Sequence, residues 1–243
     1  MNLDAWQWTL AIVAAAIVGV SKSGIGGLGI LSVVLFAQIL PAKQATGAVL
    51  PLLCFGDLVG AYYYRKHASW RHLWRLFPWT AAGVGAGWFA LGRIDDHAAR
   101  VMIGIIILSM AAMHLIRRRF GGHEAEHGAW FAPVIGVLAG FTTLVANAAG
   151  PLMAIYMLAM RLPKMDYVGT GAVFFLAINF FKVPFMLQLG LITADSFTLN
   201  LALAPLVVAG AWLGRRLVLA IDQRLFENIA LGLSLVAGLR LLW

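Results

Sequence analysis

Eight apolar runs follow one another through this chain with only short polar joints between them, and that succession constrains the fold more than any motif does. Six are of ordinary spanning length: Lys43 to Tyr64, His72 to Leu91, His97 to Ile116, Met165 to Leu189, Asp195 to Gly214 and Asp222 to Trp243. At about 1.5 Å of rise per helical residue, each crosses a hydrocarbon core of about 30 Å. The other two, Ala5 to Leu40 and Ala129 to Met160, exceed one crossing and are interrupted midway. The interruptions read Ser21-Lys22-Ser23-Gly24-Ile25-Gly26-Gly27-Leu28-Gly29 and Asn147-Ala148-Ala149-Gly150-Pro151. Of the 243 residues, 62% are hydrophobic and 12% charged, more apolar surface than a soluble core of this size hides. No polar stretch is long enough to fold outside the bilayer, so the expected fold is an all-α integral membrane protein.

The two interrupted runs open two related halves. Set side by side from Leu40-Pro41 and Leu162-Pro163, Gly47 faces Gly169 and Asp57 faces Asn179 at one constant offset. With small shifts, Gly85-Ala86-Gly87-Trp88 falls on Ala209-Gly210-Ala211-Trp212, and Ile94-Asp95-Asp96 on Ile221-Asp222-Gln223. The expected organisation is a first membrane repeat over 1–119, a connection over 120–128 and a second repeat over 129–243. Each repeat holds a broken, re-entrant helix hairpin and three transmembrane helices.

Charge sets the expected orientation. If each broken run enters and leaves on one side, Arg65, Lys66, Arg71, Arg75, Arg117, Arg118, Arg119, Arg161, Lys164, Arg215, Arg216 and Arg224 share one face. Only Lys43, Arg93, Arg100 and Arg240 fall on the other. The richer face is cytoplasmic by the positive-inside rule, which puts both termini outside and makes the repeats inverted. The expected location is multi-pass in a bacterial inner membrane. The net charge of +8 therefore reads as a topology signal and not as a nucleic-acid surface, because the basic residues form no continuous stripe. The first run is expected to stay in the protein: its start carries Asp4 and no Lys or Arg, the reverse of a cleaved signal.

Two cations remain inside the membrane, Lys22 in the first interruption and Lys182 in Asn179-Phe180-Phe181-Lys182-Val183-Pro184. A lysine at the bilayer centre costs on the order of 3 kcal/mol, so it faces a partner or a wet cavity, or else snorkels to the surface. Gly24, Gly26 and Gly29 match Gly-x-Gly-x-x-Gly, but without a preceding strand the dinucleotide reading fails. What remains is backbone N–H opening a half-helix in mid-membrane, a geometry that attracts an anion. The expected anion site is Ser21, Lys22, Ser23, Gly24, Gly26 and Gly27 from the first half, with Asn147, Gly150, Thr170, Asn179 and Lys182 from the second. Asp57, a carboxylate well inside its run, is either an ion-pair or proton site, or a helix-end aspartate reaching Arg65 or water. Gly56 with Gly60, Gly136 with Gly140 and Gly210 with Gly214 read as close-packing pairs.

His123-Glu124-Ala125-Glu126-His127 spells the zinc-protease signature, yet it lies between Gly122 and Gly128 in the connection, where nothing holds a helix. Cys54 is the only cysteine, so neither a disulfide nor a thiolate metal cluster forms within one chain, and it reads as packing. No cofactor and no metal are expected.

Several blocks, in order, resemble the TauE/SafE family of sulfite and organosulfonate exporters over essentially the full chain. They are the glycine-rich interruption with Pro41, Gly169-Thr170, Asn179 to Pro184, Leu189-Gly190-Leu191-Ile192-Thr193, Ala204-Pro205-Leu206-Val207, Gly214-Arg215-Arg216 and Phe226-Glu227. The first half departs from the commoner glycine run by carrying Ser21-Lys22-Ser23. The resemblance implies movement of small sulfur-oxygen anions out of the cytoplasm, and the chain is read as a transporter and not an enzyme. A channel, an importer of a related oxyanion, a membrane-embedded enzyme and a structural subunit are the alternatives. An enzyme needs several polar groups converging at one depth, and only Asp57, His114 and the two lysines are available. Expected partners are the sulfur-containing anion and membrane lipid, with a homodimer as an option and nucleic acid excluded.

Overall fold

The computed structural model describes residues 3–23, 42–91 and 130–240, with isolated positions between 32 and 40 and between 93 and 115. Every regular element among them is helical: α1 (Ala5–Ser23), α2 (Ala42–Ala48), α3 (Leu50–Tyr64), a 3-10 turn (Arg65–His67), α4 (Trp70–Leu91), α5 (Phe131–Ala146), α6 (Ala149–Ala159), α7 (Lys164–Gln188), α8 (Ala194–Ala220) and α9 (Gln223–Arg240). Four stretches, Ala5–Ser23, Gln44–His67, Lys164–Gln188 and Ala194–Ala220, are long and apolar enough to cross a membrane, while α5 and α6 are shorter apolar helices. Pro78, Pro184 and Pro205 lie inside helices without ending them, as neighbouring helices allow in a bundle of this kind. Large apolar side chains face outward, among them Trp74, Tyr62 and Leu201, each at least two-thirds exposed. That surface requires lipid.

The second interruption is narrower than the sequence suggests. α5 ends at Ala146, Asn147 caps it in the left-handed region at φ 51°, and α6 begins at Ala149, so Gly150 and Pro151 belong to a first helical turn. Proline is tolerated there because its missing N–H has no intrahelical partner to lose. α6 then doubles back, since Tyr156 near its end stacks on Phe131 at the start of α5, with ring centroids 5.8 Å apart. This is the expected re-entrant hairpin. α8 runs longer than its apolar run, with Arg215 and Arg216 still helical before the end at Ala220.

The halves repeat, and their packing repeats with them. α1 packs on α8 as α5 packs on α4, and α3 crosses its counterpart α7. Gly19 lies against Val207 O and Ala211 N, and Gly140 against Thr80 O and Val84 N. Gly210 lies against Ala16 O and Gly83 against Val137 O; Gly214 against Val20 O and Gly87 against Phe141 O. These contacts pair Gly83 with Gly210 and Gly87 with Gly214. The sequence alignment of Gly85-Ala86-Gly87-Trp88 with Ala209 to Trp212 is thus three residues out of register, because closely spaced glycines admit more than one match.

Direction follows from two further glycines. Gly47, early in its half, lies against Leu191, just past the end of α7, whereas Gly169, early in α7, lies against Tyr64 and His67 at the end of α3. Equivalent helices therefore run antiparallel, and the repeats are inverted. The basic residues gather at one end of the bundle, where Arg215 sits over the Tyr63 ring and Lys164 donates to Ile221 O. Gly24, Gly26 and Gly27, the 120–128 connection with its His123 to His127, and most of the His97 to Ile116 run lie outside the described residues.

Candidate functional site

Where α3 and α7 cross, a chain of polar side chains runs through the apolar interior. Lys22, one residue before the end of α1, places Nζ 2.8 Å from Asp57 Oδ1, and Asp57 is fully buried. Asn179 donates Nδ2 to Asp57 Oδ2 at 2.6 Å, and its Oδ1 accepts from Lys182 Nζ at 3.2 Å. Carboxylate on one side and ammonium on the other fix which way that amide points. Lys182 also donates to Asn147 Oδ1 at 2.6 Å and Thr143 Oγ1 at 3.1 Å. One polar path thus joins the end of α1 to the tip of the α5–α6 hairpin.

Sequence-equivalent residues meet at its middle. Asp57 and Asn179, which occupy the same position in the two halves, bond to each other, as expected of residues near the axis relating inverted repeats. Asp57 is therefore an ion-pair residue and does not reach Arg65 or water. Lys182 does not snorkel either. Its side chain is fully buried about 9 Å short of the helix end at Gln188. Gly56 and Gly60 are packing glycines, and what they admit is Lys22: its Cγ lies beside Gly56 and its carbonyl beside Gly60. The ammonium of Lys22 also sits 4.6 Å from the centre of the Phe175 ring.

The two lysines are held differently. Lys22 has a carboxylate, whereas Lys182, among the described residues, has three neutral oxygens and no counter-ion in contact. The donors of its ammonium are all used, but its charge is not neutralised.

Two expected site residues do different work. Thr170 accepts from Ser69 N–H at 2.9 Å at the far end of α7, twelve residues and about 18 Å from Lys182. It holds the start of α4 and does not join the lysines. The Ser23 hydroxyl lies 2.7 Å from Ala211 O and 2.8 Å from Gly19 O, so its single proton is committed to backbone and ties α1 to α8. Ser21 is buried on α1. Of the expected backbone donors in the second half, Asn147 N–H bonds Thr143 O and Ala148 N–H bonds Thr142 O. Ala149 and Gly150 open α6, and Pro151 has no N–H. Cys54 lies one turn from Asp57, buried in the apolar core.

Sequence reasoning missed Thr143, Phe175 and the Thr46 carbonyl, which accepts from Asn147 Nδ2 at 2.9 Å. Thr143 had a signal, since it precedes Asn147 by one helical turn and so shares its face.

Inverted repeats, a re-entrant hairpin and a buried polar centre with excess positive charge define a multi-pass helical membrane protein on the plan of a secondary transporter. Residues 11–241 match the family model described as Sulfite exporter TauE/SafE. The chain belongs to that family of membrane transporters. No curated protein and no solved structure matches it.

Proposed function

We propose that the protein exports a small sulfur-oxygen anion, sulfite or a short organosulfonate, from the cytoplasm, and that the anion binds beside Lys182 at the tip of the α5–α6 hairpin. The observation that carries this reading is the buried Lys182 ammonium held, among the described residues, by neutral oxygens. A sulfonate oxygen replacing one of them turns a bond between an ion and a neutral oxygen into an ion pair, which supplies the missing counter-charge. The start of α6, two residues beyond Asn147, adds a helix dipole of about half a charge. Sulfonate oxygens accept hydrogen bonds and give none, so the donor they meet there is the Lys182 ammonium.

Export also agrees with the energetics. With the cytoplasm negative, the membrane potential supplies about 2.3 kcal/mol per charge per 100 mV to an outgoing anion, so no driving ion is required. On this reading the chain has no catalytic residue, its membrane is the bacterial inner membrane, and both termini lie outside. Efflux of sulfite from liposomes containing only this protein tests it. Lys182→Met keeps the apolar stem and removes the charge, so the variant is expected to insert while affinity falls by about 1.5 to 3 kcal/mol. Wild-type affinity in that variant, or no efflux by the parent, defeats the proposal.

A further inference from the structure

The polar centre contains more charge than the transport reading uses. Lys22 and Asp57 form a buried ion pair, and Lys182 is tied to the same carboxylate through Asn179. Two ammonium groups and one carboxylate leave one positive charge. Among the described residues no other Asp, Glu, Lys, Arg or His side chain is buried; Cys54, a turn before Asp57, and the buried tyrosines carry no charge as thiol and phenols, and the remaining polar neighbours, Thr143, Asn147 and Asn179, are neutral. We infer that Asp57 sets the valence of the transported anion: the single uncompensated charge matches a monoanion and disfavours a dianion. The inference rests on the reading that this centre binds a sulfur-oxygen anion.

The physical reason is the cost of net charge in a space walled by apolar side chains. A monoanion beside Lys182 brings the centre to neutrality. A dianion leaves it at minus one, and the Asp57 carboxylate, one asparagine away from Lys182, repels it. At an effective dielectric constant of about 20, one unit charge at such range changes affinity by roughly tenfold or more. Within the repeat, the residue equivalent to Asp57 is Asn179, so the same position is neutral in the second half. Asparagine is therefore sterically acceptable at this crossing, and Asp57 contributes a charge where the fold needs only a polar side chain.

Methanesulfonate and sulfate, tetrahedral anions of one and two charges, separate the outcomes. Efflux of each is measured from liposomes at zero membrane potential, so that valence does not enter through the driving force. The parent chain is expected to reach half-saturation with methanesulfonate at a concentration at least about tenfold below that for sulfate. Asp57→Asn leaves two charges in the centre and is expected to move that ratio toward sulfate by about tenfold or more. The double variant Lys22→Met with Asp57→Asn restores the single charge and, whatever its rate, is expected to restore the parent ratio. An unchanged ratio in Asp57→Asn overturns the inference, as does a double variant that keeps the shifted ratio or a parent chain equally sensitive to both anions. If Asp57→Asn fails to insert, the double variant decides: the parent ratio supports the inference and preference for sulfate overturns it. Absence of any flux in the parent chain is a different failure, of the transport reading itself.

Discussion

At the scale of single residues, Asn147 carries the most distinct demands. Its backbone takes φ 51°, its Nδ2 donates to Thr46 O, and its Oδ1 accepts from Lys182. Asparagine tolerates the left-handed region better than most side chains, which suits it to cap α5 while facing the buried ammonium. Two substitutions separate these roles. Asn147→Gly keeps the backbone conformation and loses both side-chain bonds, whereas Asn147→Ala loses the same bonds and adds about 1 to 2 kcal/mol of left-handed strain. Thermal unfolding in detergent is expected to rank the parent above the glycine variant and the glycine variant above alanine. Equal stability of the two variants means that side-chain bonding alone explains the residue.

At the scale of elements, the seams between α1 and α8 and between α5 and α4 depend on backbones in contact. A Cβ at Gly140 meets Thr80 O at 2.0 Å and one at Gly19 meets Val207 O at 2.1 Å, whereas a Cβ at Gly85 meets nothing within 4 Å. Backbone atoms cannot swing aside as a flexible side chain does, so a larger residue forces the helices apart. Gly140→Val and Gly19→Val are each expected to lower stability by about 3 kcal/mol or more, beyond ordinary overpacking. Gly85→Ala is expected to leave it unchanged or slightly raised, since alanine favours helix by about 1 kcal/mol. Chemical unfolding of the three variants checks this, and a stable Gly140→Val protein rules out the close α5–α4 seam. The pairs Gly136 with Gly140 and Gly210 with Gly214 were legible as packing from their four-residue spacing. The partner of each seam was not, because spacing names a face and not the helix that covers it.

For the whole molecule, the gathering of basic residues at one end carries an orientation. With Arg65, Lys66, Arg71, Arg75, Lys164, Arg215 and Arg216 on that side, the positive-inside rule predicts that it is cytoplasmic, and the 120–128 connection is expected on the same side. Ala125→Cys tests the arrangement in a chain whose own cysteine, Cys54, is buried. An impermeant maleimide applied to intact spheroplasts from outside is expected to leave position 125 unlabelled until the membrane is opened. Labelling from outside inverts the topology, and with it the direction of export.

The length of the four spanning helices, the second interruption, the inverted repeat and the buried lysines were readable along the chain, because lipid imposes its demands locally. A segment in hydrocarbon must be apolar for about 20 residues, and a charge within it shows against that background. The equivalence of Asp57 and Asn179 was readable too, as an offset between halves. Their contact was not, since it depends on α3 and α7 crossing at that level, and only the packed bundle sets the crossing. The same packing set Thr170 against the Ser69 N–H, turned Ser23 onto the Ala211 carbonyl and brought Thr143 to Lys182. Sequence determined which polar groups enter the membrane; tertiary structure decided which of them meet, because helix-to-helix register is fixed by glycine seams between distant segments.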